Sequence, residues 1–365
     1  MRNALLPIGV IGAGGYLPER VRDNHEMSLL AGTSESWILE RTGIRTRHVA
    51  APHQAASDLA ALAAVKALAS AGIDAADLGL IIVTTTTPDE LGPAIACRVQ
   101  AELGAHRAVA FDVSGACSGY LFAARVAHDW LSARPGDGYA LIVGAEVYSR
   151  FLNHKDRATS VLFGDGAGAT ILGPVAEGTG FTDIEIRSDG TGADTVLIPA
   201  GGSRRPADRH TLADHGHHLQ MNGRAVADFI RDVFPRSVKE LLSRAGRELS
   251  DIDLVVPHQP NPKLLQTVAQ DMGVTDQQLM LVGDRIGNIG GACVPFALAE
   301  AAASGRLVAG DQIMLAAFGA GLTWGTSLLG WSGTRALPTS SFPDATGIPA
   351  QIPEPHTAGS APAIG

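Results

Sequence analysis

The sequence predicts an α/β fold made of two related halves, and three observations carry that reading. Apolar runs without alternation, LGLIIVT at 78–84, YALIVGAEV at 139–147 and DLVVP at 253–257, have the length and β-branched content of strands buried on both faces. Helical stretches rich in alanine separate them. The order helix, strand, glycine turn, helix, strand then recurs. Ala71-Gly72, Asp77 and Leu80 are matched 174 residues on by Ala245-Gly246, Asp251 and Leu254. Gly115-Ala116-Cys117 is matched 176 residues on by Gly291-Ala292-Cys293, with Phe122 and Ala123 against Leu298 and Ala299. Such spacing marks duplication of a βα unit, not a short repeat array. Parallel sheets covered on both faces and two halves related by a pseudo-dyad are expected.

Composition bounds the function. A chain of 365 residues with 45% hydrophobic and 18% charged content has ample core, and its length suits roughly two domains. No run of about 18 apolar residues is present to span a membrane. The start, MRNALLPIGVIGAGGYLP, lacks a charged n-region, a long apolar stretch and a cleavage site, so it reads as a first strand. Three widely spaced cysteines (Cys97, Cys117, Cys293) argue against a disulfide framework and for a reducing, cytoplasmic setting. A net charge of -9 argues against nucleic acid as a partner.

Taken in order, GVIGAGGYLP (9–18) imitates a dinucleotide fingerprint but places Leu17 where its third glycine belongs, and Pro18 blocks a helix. TSESWILER (33–41) is a capped helix with Trp37 and Arg41 one turn apart. SDLAALAAVKALASAG (57–72) is a helix opened by Ser57 or Asp58 and closed by Gly72, followed by the strand and threonine loop LGLIIVTTTTP. SVLFGDGAGATILG (160–173) reads as a strand, a glycine turn and a second strand. Residues 187–219 read as irregular, and His215, His217 and His218 there lack a carboxylate or cysteine at metal-ligand spacing. VADFIRDVFPRSVKELLSRAG (226–246) is a helix, SDIDLVVPH a buried strand, GNIGGACVPFALAEAAASG a glycine turn into a helix, and GDQIMLAAFGAG a strand into a glycine loop. These divide the chain into an N-terminal half (1–175), a C-terminal half (176–333, with 176–222 an irregular connection) and a disordered tail rich in Pro, Ala and Ser (334–365).

FDVSGACSGYLFAARVAHDW (111–130) concentrates the chemistry. Phe111-Asp112-Val113 ends a buried strand, and Ser118 opens a helix with apolar positions at Leu121, Phe122, Val126 and Trp130. The tight turn between them puts Cys117 at a helix N-terminus, which favours thiolate over thiol. His258 after DLVVP and Asn288 in GNIGG also stand at strand ends, where α/β sheets place their reactive groups. Each alone reads equally as packing or turn chemistry; the duplication, which relates the Cys117 turn to the Asn288 turn, favours a shared site.

With these residues in hand, the chain resembles the beta-ketoacyl-acyl-carrier-protein synthase III family over roughly residues 5–333. The motifs are WILERTGIRTRH, DVSGACSGY, DRATSVLFGDGAGA, VPHQPNPK, GNIGGACVP and AFGAGLTWG. The resemblance implies a thiolase-like fold, duplicated βα halves in a five-layered α-β-α-β-α arrangement. It implies condensation of an acyl-CoA primer with malonyl-carrier protein (or malonyl-CoA) by a triad of Cys117, His258 and Asn288. It further implies an oxyanion site at the backbone N–H groups of Cys117 and Ala320. CoA and substrate contacts fall on Trp37 and Arg157 (about the adenine), Arg41, Asn261 and Phe318, and a carrier-protein contact falls on Lys263. A homodimer, acyl carrier protein as partner, and no metal or redox cofactor are also implied.

Several positions depart from the family pattern. Gly92 stands where some members place a phenylalanine at the primer-pocket floor, which suggests a primer longer or bulkier than acetyl. Ala320 replaces a usual glycine, SGAC replaces an alanine-rich turn, and Pro260 and Pro262 stiffen the histidine loop. Three rival readings remain. One is acyl transfer to an oxygen, nitrogen or sulfur acceptor without decarboxylation, which Asn288 disfavours. The second is a cysteine α/β-hydrolase using Cys117, Asp165 and His258 in that chain order, which the duplication disfavours. The third is a non-catalytic carrier-binding protein, which the complete triad disfavours.

Overall fold

A computed structural model describes residues 7–338; the expected tail lies outside the described residues from 339 on. Strands β1 (Ile8–Tyr16), β4 (Leu78–Thr84), β5 (Val109–Val113), β6 (Tyr139–Val147) and β7 (Asp165–Pro174) make one sheet, ordered β1-β7-β6-β4-β5. Strands β8 (Gly180–Ser188), β11 (Leu254–Pro257), β12 (Gln312–Gly319) and β13 (Thr323–Gly330) make another, ordered β8-β13-β12-β11. Read from β1 and from β8, both sheets show two antiparallel pairings followed by a parallel one. The repeated motif order in the sequence is therefore a repeated strand order in space.

Helices α5 (Gly119–Ala133) and α10 (Cys293–Ala303) fill the space between the sheets. The first packs on β4 and β6 and also on β8 and β13; the second packs on β1 and β7 and also on β11 and β12. Contact on both sides explains why α10 is apolar all round, with nine of its eleven residues buried. It lies directly on the β7 backbone, because a Cβ at Gly168 would fall 2.3 Å from the Phe296 nitrogen. Outside the first sheet lie α3 (Ala56–Ala71) and α4 (Ile95–Leu103); outside the second lie α7 (Gly223–Ala245) and α8 (Pro262–Asp271). The layers run α-β-α-β-α.

The remaining elements are the ribbon β2 (Arg20–Asp23) with β3 (Thr46–Val49), helices α1 (Asn24–Ala31) and α2 (Glu35–Thr42), the ribbon β9 (Val196–Leu197) with β10 (Gln220–Met221), and the short helices α6 (Arg209–Ala213) and α9 (Gly283–Ile286). Of these, α2, β9 and β10 reach the cavity described below.

Five local expectations change. The sheets are mixed, not parallel, because helices on both faces bury a strand's two sides whatever its direction. β5 is a half-exposed edge strand, with Val109 47% exposed. In 160–173 only β7 is a strand; before it, Phe163 makes a single bridge to Asn288. The buried face of α5 is Tyr120, Leu121, Ala123, Ala124, Ala127 and Leu131, while Val126 is exposed, because two sheets divide its surface. Finally, α3 starts one residue earlier than Ser57, and Asp58 acts from inside the first turn, its carboxylate accepting from the Ala55 N–H at 2.6 Å.

Candidate active site

The chain leaves β5 through Ser114-Gly115 and enters a single 3-10 turn, Ala116–Ser118, before α5 begins. Ala116 adopts φ 47°, a left-handed conformation that a side chain rarely takes and that tightens the turn beneath the sulfur. Ser118 pins it, donating to the Gly115 carbonyl at 2.8 Å, with its oxygen 2.6 Å from Thr323 Oγ1. The end of β12 passes so close that a Cβ at Gly319 would lie 2.7 Å from the Cys117 nitrogen. Cys117 therefore stands where two halves of the chain touch, and it lines a cavity of about 610 Å³.

His258 and Asn288 line the same cavity. His258 follows β11, is 2% exposed, and its backbone N–H donates to the Ala316 carbonyl at 2.7 Å. Burial holds its pKa down to about 3, so the imidazole is neutral. Gln259 fixes the loop behind it: its amide donates to the Pro257 and Met280 carbonyls, and its oxygen accepts from the Val282 and Gly283 N–H groups, at 2.8–3.1 Å. Gln259→Leu is expected to orphan these buried groups and lower stability by roughly 3 kcal/mol or more, read as a drop in melting temperature; an unchanged melt removes this role.

Asn288 sits in the turn after α9. Its Oδ1 accepts from the Gly290 N–H at 2.8 Å and from the Cys293 thiol at 3.7 Å, which leaves the amide N–H groups for the cavity. Cys293, which the duplication matches to Cys117, thus helps hold Asn288 through its sulfur. The turn Gly290–Ala292 abuts the Cys117 turn, with a Cβ at Gly291 only 3.2 Å from the Ala116 carbonyl oxygen. The duplicated turns meet, and the three reactive groups converge.

The electrostatics of Cys117 differ from the helix-terminus expectation. Burial pushes its thiol well above the ordinary range, and Cys293 and Glu146 add to that; the nearby Tyr148 side chain opposes it. Cys117 belongs to the 3-10 turn, ahead of α5, and desolvation is the largest influence on its thiol there.

Trp37, Arg41, Arg157, Asn261, Phe318 and Ala320 also line the cavity. The Arg157 guanidinium lies 5.2 Å from the Trp37 ring centre, a cation–π pair. Asn261 caps α8 through its oxygen, bonded to the Leu264 N–H at 3.0 Å, and donates its amide to the Arg41 carbonyl at 3.1 Å. Lys263 is exposed and donates to the Glu40 carbonyl at 2.7 Å, at the C-terminus of α2. Gly92 is not brought to the cavity: it is exposed, with open space where its Cβ would be.

Two groups of residues escaped the sequence reading. The stretch 187–219, read as irregular, supplies apolar walls through Val196, Leu197, Ile198 and Leu219, joined by Met221. Their only signal was the short apolar runs VLIP and HLQM. Tyr148, Thr86 and Glu146 lie beside Cys117 and were not singled out, although Glu146 is a carboxylate at the end of a buried strand. In the same region the His217 and His218 rings lie with centres 4.0 Å apart, tilted by 48°, and His215 stacks on His218 at 5.3 Å. No group of three or more metal-ligating side chains is found among the described residues, and no helix among them is long and apolar enough to cross a membrane. Asp165 accepts from Ala50 N–H, Ser149 N–H and Ser149 Oγ, and His258 Nδ1 has no hydrogen-bond partner, so the hydrolase-type triad does not form.

Residues 111–190 match the family model for 3-oxoacyl-[acyl-carrier-protein] synthase III, and residues 242–331 match the model of its C-terminal part. A beta-ketoacyl-[acyl-carrier-protein] synthase III from Symbiobacterium thermophilum is 43% identical over 325 residues, 89% of this chain and 98% of that one. The crystal structure of such an enzyme from Thermus thermophilus aligns with a TM-score of 0.81 and 38% identity, covering 89% of this chain and all of the other. That of the priming beta-ketosynthase of the R1128 polyketide pathway aligns with a TM-score of 0.81 and 30% identity, covering 93% and 98%.

Proposed function

The chain belongs to the beta-ketoacyl-[acyl-carrier-protein] synthase III family, and from that premise we propose that it condenses an acyl-CoA primer with a malonyl thioester, starting fatty acid or polyketide synthesis. The observation that carries the reading is the convergence of Cys117, a neutral His258 and the inward-facing amide of Asn288 on one cavity.

The Cys117 sulfur attacks the primer's thioester carbonyl while its own proton passes to the departing CoA, so that CoA leaves as the thiol and the acyl group stays on sulfur. The negative oxygen formed in that step meets the N–H groups of Cys117 and Ala320. A malonyl thioester, on carrier protein or on CoA, then loses carbon dioxide, and charge gathers on its thioester oxygen as an enolate. Neutral His258 and the Asn288 amide donate hydrogen bonds to it. The enolate carbon attacks acyl-Cys117, giving a 3-oxoacyl thioester and free Cys117. The protein is thus a transferase of acyl groups, with acyl-CoA as substrate and no cofactor.

Trp37 and Arg157 are the pair that would take the adenine of CoA between them. A ring between them needs roughly 3.5 Å of contact on each side, so Arg157 swings away from its 5.2 Å position as CoA enters. Arg41 and Asn261 border the same mouth, and Lys263 offers a charge to the carrier protein. Strands β1–β7 and β8–β13 divide near residue 175, which supports two halves at 1–175 and 176–333. A homodimer in the cytoplasm, with Gly92 acting on primer choice, completes the proposal.

Incubation with a panel of acyl-CoAs and peptide mass mapping tests it. An acyl adduct on Cys117 that a malonyl thioester converts into a 3-oxoacyl product is the expected result. No adduct with any primer overturns the reading, and an adduct passed only to hydroxyl, amine or thiol acceptors replaces it with simple acyl transfer.

A further inference from the structure

A buried carboxylate of the first half is used by no step above. Glu146 stands near the end of β6 and is fully buried. Burying a carboxylate is costly unless its oxygens are satisfied, and this one is satisfied from two directions. Its Oε2 takes the threonine loop that follows β4: it accepts from the Thr86 N–H at 3.1 Å, Thr86 Oγ1 at 2.9 Å and Thr87 Oγ1 at 2.8 Å. Thr87 is free to give that proton because its own oxygen accepts from the Val147 N–H at 2.8 Å. Its Oε1 faces the second half, where it accepts from the Gly291 N–H at 3.5 Å. Gly290 rests directly on this group. A Cβ there would lie 2.7 Å from Glu146 Oε1 and 2.7 Å from the Tyr148 hydroxyl oxygen, which itself lies 2.7 Å from Thr86 Oγ1.

The turn that Glu146 grips is the one that aims Asn288. Asn288 Oδ1 accepts from the Gly290 N–H at 2.8 Å, so the direction of its amide follows that peptide. The next peptide in the same 3-10 turn carries the N–H that Glu146 accepts. The main chain of Asn288 is held from elsewhere: its N–H donates to the Leu162 carbonyl at 2.8 Å, and its carbonyl accepts from the Gly164 N–H at 3.0 Å. The backbone of Asn288 is thus fixed by residues 162–164, and its side chain by a turn seated on Glu146.

We propose that Glu146 is a positioning residue for the decarboxylation step, clamping the Gly290–Ala292 turn to the threonine loop so that the Asn288 amide stays aimed into the cavity. The proposal rests on the condensing reading, in which that amide meets the enolate. A carboxylate suits the task because it only accepts and has two oxygens, so a single side chain takes donors from both halves of the chain at once. An alcohol or an amide has one acceptor oxygen and serves one side.

Glu146→Gln tests this with little change of shape. Three donors meet at Oε2, so the amide oxygen stays with the threonine loop and its NH2 turns toward the Gly291 N–H, which loses its acceptor. Melting curves establish that the variant is folded. Amide hydrogen exchange, read by mass spectrometry without any substrate, is expected to quicken about tenfold in peptides spanning 290–292 and to stay as in wild type in those spanning 85–87. The ratio of malonyl decarboxylation to Cys117 acylation is expected to fall about tenfold to a hundredfold, the effect of a misaimed catalytic group. Unchanged exchange at 290–292 overturns the clamp. Faster exchange there with an unchanged ratio, or a loss of both activities in step, marks a structural bond alone and overturns the positioning role. A wild-type protein that neither acylates nor decarboxylates refutes the condensing reading instead, and the exchange result then decides by itself whether Glu146 holds the turn. Should the variant not fold, wild-type exchange decides: peptides spanning 290–292 that exchange as fast as an exposed loop overturn the clamp, and slow exchange there supports it.

Discussion

Given any acyl-CoA, the Cys117→Ala protein takes up no acyl group, and its condensation rate falls by about four orders of magnitude or more. Alanine removes the one atom that forms a bond to the primer and changes little else. The side chain is small and faces the cavity, and the turn that holds it is fixed by Ser118 and Gly319. His258 and Asn288 keep their positions, so the variant is expected to release carbon dioxide from a malonyl thioester without making product. Intact-protein mass measures the first outcome and carbon dioxide release the second. Acylation persisting in Cys117→Ala would assign the nucleophile elsewhere, to exposed Cys97 or buried Cys293.

Asn288→Ala produces the opposite division. Self-acylation at Cys117 is expected to continue, because no step in it needs the amide. Malonyl decarboxylation is expected to fall by about a hundredfold to a thousandfold, the effect of removing one preorganised donor to a developing oxyanion. Asn288→Asp separates donation from structure. Its carboxylate still accepts from the Gly290 N–H, which Asn288 Oδ1 holds at 2.8 Å, yet it offers no proton to the enolate. Equal loss in both variants attributes the effect to the amide N–H groups; recovery in Asn288→Asp attributes it to the turn. A fall in acylation that tracks the fall in decarboxylation would overturn this division of labour.

Much of this was legible in the sequence, and the rest was hidden for physical reasons. His258 could be found because it ends a buried apolar run, and the repeated Gly-Ala-Cys linked the Cys117 turn to the Asn288 turn, although Asn288 follows the short helix α9 and not a strand. That both faces of the sheets are covered followed from strands without alternation, and the five-layer order from the family resemblance, but not the strand directions, since burial on both faces erases that signal. Tyr148 and Glu146 were missed because VGAEVYSR reads as the end of a strand whatever its side chains touch. Their partners in the threonine loop are about 60 residues away in sequence. Gln259 was missed beside His258 because its four bonds depend on how the chain returns at Met280–Gly283. The walls from 196 to 221 were missed because two-residue strands carry no periodicity.

The close backbone contacts around the duplicated turns also set where this chain can absorb a larger side chain. A Cβ at Gly144 would lie 2.4 Å from the Gly291 carbonyl oxygen, and one at Gly319 would lie 2.7 Å from the Cys117 nitrogen. At the hub, backbone meets backbone, so added bulk in one half cannot be absorbed by a rotamer in the other. The walls drawn from 196–198 and 219–221 meet the cavity through flexible side chains, where a larger residue displaces only its neighbours. Substitutions along that rim can reshape the cavity wall of this chain, while the paired turns leave no room for added bulk.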